Sequence, residues 1–134
     1  VRMPAGTQIS FGAVAKGCAS KYAIDAMRKN GVTSGIVSLG GNVQTLGTKP
    51  DGSNWTVAVE DPNDTSSYVG TLSVGETAII TSGSYQRYFI GPDGVKYHHI
   101  IDPRTGKPAD NDLVSVTIVC SDGPQCSYSA KAPR

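Results

Sequence analysis

The sequence holds no apolar run approaching the ~20 residues that a helix needs to cross a bilayer. It also lacks a basic stripe: twelve lysines and arginines are scattered among eleven acidic residues, for a net charge of +1. The electrostatic footprint of a nucleic-acid binder is therefore missing, and no nucleic-acid partner is expected. There is no C-x-x-C spacing, and the three cysteines, Cys18, Cys120 and Cys126, are an odd number, which speaks against zinc. They read as small buried or partly exposed thiols, with a Cys120–Cys126 disulfide as the alternative. No charged-then-apolar leader opens the chain, and Val1 in place of an initiator Met leads us to expect a cut start.

Within those limits, 134 residues suffice for one domain that buries roughly two thirds of its unfolded surface. Sixteen glycines and eight prolines fall between modest apolar runs, which predicts a turn-rich and strand-rich chain, not a disordered one. After an apolar patch at 9–11, Val14, Cys18, Ala19, Tyr22, Ala26 and Met27 recur at helical intervals. Arg28, Lys29 and the Asn30-Gly31 pair mark the end of that amphipathic helix. Strands are expected at 35–39, 43–46, 55–60, 68–74, 77–81, 85–90, 95–101 and, mostly buried, 113–119. Gly40-Gly41-Asn42 reads as a tight hairpin turn, or as a point where a ligand approaches the backbone. Thr81 to Tyr85 reads as a polar turn that, with Arg87, can hold a phosphate or ribose. Residues 121–134 lose the pattern and read as irregular chain. The sum is an α+β chain of mostly antiparallel hairpins with one helix.

Two features stand out chemically. Residues 95–101 read as one strand running into the turn Asp102-Pro103-Arg104-Thr105-Gly106. Alternation then puts His99 with Ile101 on one face and His98 with Ile100 on the other. Catalytic groups are often presented on such rigid strand ends beside adaptable loops. Lys16 is the second feature, because a cation in a helix's first turn opposes the helix dipole. A bound phosphate at that terminus would reverse the argument; an exposed, tolerated lysine is the equal alternative.

Four ordered motifs, Gly12-Ala13-Val14-Ala15-Lys16-Gly17, Leu39-Gly40-Gly41-Asn42, Thr81-Ser82-Gly83-Ser84-Tyr85 and His99-Ile100-Ile101-Asp102-Pro103-Arg104-Thr105-Gly106, resemble the ApbE family of FAD:protein FMN transferases. The likeness runs from about Ile9 to Val119. It implies a T-fold-like flavin transferase domain, partial here, with 121–134 as a divergent tail. The implied reaction is magnesium-assisted transfer of FMN from FAD to a threonine of an acceptor flavoprotein subunit, releasing AMP. Hydrolysis of FAD to FMN and AMP, or a non-catalytic flavin- or nucleotide-binding remnant, is the alternative. Phosphoryl transfer needs positioning, charge neutralisation and a base, and imidazole suits the last near neutral pH.

By position in those motifs, the resemblance makes His99 the base and His98 structural. It gives Ser10, Lys16, Gly41, Asn42, Thr81, Ser82, Gly83 and Ile100 to FAD, and the Ala13 carbonyl to Mg²⁺. Asp102 is read as capping its turn in preference to orienting His99. Three positions depart from the pattern. Ser10 stands where the family has an aspartate. In the tail, Ser127 and Lys131 fall where the family has the Asp and Thr that hold Mg²⁺. The expected causes are a truncation or a reading-frame slip after Ser121. Family members usually act outside the cytoplasm, often membrane-anchored, which is the expectation for the full-length protein.

Overall fold

A computed structural model describes residues 2–121 and 123–130. Helix α1 (Ala15–Lys29) is followed by β1 (Gly35–Ser38), β2 (Asn42–Leu46), β3 (Trp55–Glu60), β4 (Tyr68–Val74) and β5 (Ala78–Gly83). Then come β6 (Tyr88–Ile90), β7 (Lys96–His98), β8 (Ile101–Asp102), β9 (Lys107–Pro108), β10 (Ser115–Cys120) and helix α2 (Gly123–Ser129). The central sheet has the order β1-β2-β5-β10, antiparallel throughout. Three hairpins, β3-β4, β6-β7 and β8-β9, stand beside it. The α+β class with antiparallel pairing is as the sequence predicts. No helix among the described residues is long and apolar enough to cross a membrane.

The register explains the core. Ile118 pairs with Ile80, and Ile80 with Asn42. Successive strand residues face opposite ways, so these side chains share one face with Ala78 and Cys120. Helix α2 covers that face: Ile80, Cys126 and Ala130 form a buried cluster with Ile118 and Cys120 against it. Burying a side chain such as Ile80 contributes about 1.5–3 kcal/mol. The buried Thr45 shows how polar groups are accommodated on the other face. Its hydroxyl donates to the Gly75 carbonyl at 2.6 Å and accepts the Thr77 N–H at 2.9 Å.

Five expectations are corrected. The tail is not irregular: α2 packs on α1 and the sheet, and Cys120 and Cys126 form a disulfide that ties it to the end of β10. Polar residues conceal this element because it buries a Cys, a Ser and small residues in place of a Leu/Ile stripe. Cys18 is the half-buried free thiol.

The buried stripe of α1 is Gly17, Ser20 and Ile24, while Tyr22 is 75% exposed. At Gly17 the helices cross so closely that an added Cβ would strike Ser127 Oγ and lie 2.5 Å from the Gly123 carbonyl oxygen. Size, not apolarity, chose that face. Thr81 to Gly83 belong to β5, paired with β10, so the turn begins at Ser84. Strand β10 is half-buried, with Val119 48% exposed, because one face of this edge strand carries no helix.

The predicted 95–101 strand breaks after His98. The Ile100 N–H turns back to His98 Nδ1 at 3.3 Å and leaves the ladder. The loops that were expected do form: Gly40 and Gly41 take φ of 48° and 85° between β1 and β2, and Gly31 follows α1 at φ 82°.

Candidate active site

The break after His98 gives the two histidines different tasks. His98 Nδ1 accepts the Ile100 N–H, so its proton is on Nε2, which donates to the Ala109 carbonyl at 3.1 Å. Both nitrogens are engaged within the protein, the structural part expected of His98. His99 is exposed, and its Nδ1 lies 3.3 Å from the Arg87 carbonyl oxygen. A carbonyl only accepts, so Nδ1 carries the proton and the basic lone pair is on Nε2.

Asp102 is tied to its own turn. Its carboxylate accepts the Arg104 backbone N–H at 2.9 Å and both Nε and Nη2 of the Arg104 guanidinium, at 3.1 and 2.9 Å. Those bonds from Arg104 hold the Asp102 carboxyl below its ordinary value and raise the guanidinium in turn. Asp102 thus caps the turn.

His99 lines a cavity of about 450 Å³. Ser10, Ala13, Lys16, Thr81, Ser82, Gly83 and Ile100 share that wall, so eight of the ten residues marked out in the sequence meet in one place. They come from the approach to α1, the end of β5 and the broken strand. Gly41 and Asn42 stand behind the cavity. The Gly41 carbonyl accepts the Thr81 N–H at 2.9 Å, and the buried Asn42 donates to Ser127 Oγ at 3.1 Å. Arg87, which the sequence pairs with the Thr81–Tyr85 turn as a candidate phosphate or ribose contact, also lines this cavity.

Lys16 settles its conflict with the helix dipole by reaching out of α1 to the Gly40 carbonyl, and still lines the cavity. A neighbouring cavity of about 540 Å³ is bordered by Asp102, Asp110 and Asp112. Those carboxylates suit an anionic ligand poorly; the cavity at Lys16 and Arg87 suits one well.

A family model described as the ApbE family matches residues 1–132. The chain belongs to the ApbE family. It is 40% identical over 118 residues to an FAD:protein FMN transferase of Klebsiella pneumoniae (strain 342), covering 87% of this chain and 35% of that protein. With the FAD:protein FMN transferase of Treponema pallidum (strain Nichols) it is 39% identical over 123 residues, 85% of this chain and 34% of that one. Among solved structures, the ApbE protein of Thermotoga maritima superposes with a TM-score of 0.87 at 35% identity, covering 95% of this chain and 40% of that one. The apo flavinyl transferase ApbE of Pseudomonas stutzeri gives 0.76 at 31% identity, covering 92% of this chain and 38% of that one. This ApbE chain spans about a third of the length of the relatives it matches.

The magnesium implied by the likeness can be tested against the donors in this ApbE chain. A hard divalent cation takes several oxygen ligands, carboxylates foremost. No carboxylate lines the His99 cavity among the described residues, and no cluster of His, Cys, Asp and Glu suited to a metal occurs among them. Ser127 is 1% exposed and packed against Gly17, with its hydroxyl engaged by Asn42. Lys131 lies outside the described residues. The residues do not fit the ion.

Proposed function

We propose that the protein of which this chain is part transfers FMN from FAD to a threonine hydroxyl of an acceptor flavoprotein, releasing AMP. The carrying observation is the fixed tautomer of His99 in a cavity walled by two cations. Basic Nε2 takes the hydroxyl proton as the threonine oxygen attacks the flavin-side phosphorus. The bond from that phosphorus to the bridging oxygen breaks, and AMP leaves with the bridging oxygen. Lys16 and Arg87 offset charge on the phosphates. Water in place of threonine gives FAD hydrolysis by the same route. The Cys120–Cys126 disulfide supports an extracytoplasmic setting.

A second reading, a flavin-nucleotide-binding module without turnover, is favoured by the serines at 10 and 127. His99→Ala in the full-length protein separates the two. A base requires AMP release and acceptor flavinylation to fall by about 10²–10⁴-fold while FAD affinity stays within a factor of about two. Equal loss of both would make His99 a binding residue, and no turnover in the parent would establish the second reading.

A further inference from the structure

The chemistry of the cavity wall sets how an anion is held there. Lys16 and Arg87 both line it, and among the described residues neither is ion-paired with a carboxylate. That contrasts with Arg28 and Arg104, each paired with acidic neighbours. Ser82 borders both this cavity and the acidic one beside it. Ser82 is only 6% exposed, and its hydroxyl is buried with no hydrogen-bond partner. Buried hydroxyls are seldom left unpaired, so a group that meets one has a donor awaiting it. A site with two cations, an unpaired hydroxyl at its border and, among the described residues, no carboxylate is complementary to a pyrophosphate and repels a divalent cation.

We infer that this chain holds the pyrophosphate of a flavin dinucleotide through Arg87 and Lys16 without a divalent metal, with Arg87 as a binding residue beside His99. The inference rests on the flavin reading above but makes a separate claim. Arg87 is well placed for it, since its own carbonyl orients His99. One residue thereby links the phosphate to the base.

FAD binding to the chain, followed by flavin fluorescence, is measured in EDTA and again in excess magnesium, with inorganic pyrophosphate as competitor. The expected result is binding in EDTA, unchanged by magnesium, displaced by pyrophosphate and weakened by salt. Arg87→Gln should weaken it about tenfold, the equivalent of ~1.4 kcal/mol, and Arg87→Lys by less. Circular dichroism and the urea midpoint confirm that each variant is folded. FAD binding only with magnesium overturns the inference and leaves the flavin reading standing. Binding in EDTA that Arg87→Gln leaves unchanged removes Arg87 from the site. Absence of FAD binding under either condition defeats the flavin reading and this inference together.

Discussion

Gly17→Ala places a methyl group where α1 crosses α2, and it tests the helix crossing that the sequence does not announce. In an exposed helix interior this substitution would stabilise by up to about 1 kcal/mol. Here the new Cβ meets Ser127 Oγ and lies 2.5 Å from the Gly123 carbonyl oxygen. The hydroxyl can rotate, but the carbonyl belongs to the backbone of α2 and moves only with the helix. Overpacking of this kind costs about 1–3 kcal/mol. Displacing α2 also breaks the Asn42–Ser127 hydrogen bond, worth about 1 kcal/mol.

Taking 2 kcal/mol for the clash, the net loss is about 2 kcal/mol. With a urea slope of ~1.5 kcal/mol/M, the unfolding midpoint should drop by roughly 1 M. Gly70→Ala in β4 is the control, since nothing lies within 4 Å of its added Cβ and its φ is not positive. It should be neutral or slightly stabilising. Adding Ser127→Ala to Gly17→Ala should recover only part of the loss, because the Gly123 carbonyl stays. A Gly17→Ala chain as stable as the parent would refute the crossing.

Two further outcomes are expected. Without reductant, alkylation and mass spectrometry should modify only Cys18. Cys126→Ser should cost about 2 kcal/mol through the short loop that the disulfide closes, and three alkylated cysteines would contradict the pairing. Asp102, held down by its bonds from Arg104, should titrate below the ~3.9 of a free aspartate. Its contribution to the turn is then complete above that unfolded value and is lost as pH falls through the lower folded one. NMR of the Asp102 carboxyl reads this directly. Arg104→Gln should bring its titration back towards the ordinary range, and no change on that substitution would dismiss the pair.

Much of the fold was legible because its signals are local. The Asn30-Gly31 stop of α1, the Gly40-Gly41 turn and the alternation in 55–60 each depend on a few adjacent residues. What escaped depends on partners distant in sequence. Gly17, Ser20 and Ile24 form the buried stripe of α1 because α2 comes close, and no hydrophobic period reveals a surface chosen for small size. Helix α2 itself opens with Gly123-Pro124 and buries Cys126 and Ser127, residues that composition assigns to loops. A disulfide anchors what apolar area alone would hold weakly.

The histidine pair shows the same division within the site. Strand alternation places His98 and His99 in different surroundings, and they are in different surroundings, but not by alternation. The chain turns at His99 because the Ile100 N–H is captured by the His98 imidazole. That bond commits His98 to the backbone at both nitrogens and swings His99 towards the Arg87 carbonyl. The residue beside the proposed base is therefore what aims it. His98→Ala should scatter His99 and free the Ile100 N–H, whereas a catalytic duplicate would have left the neighbouring backbone in place.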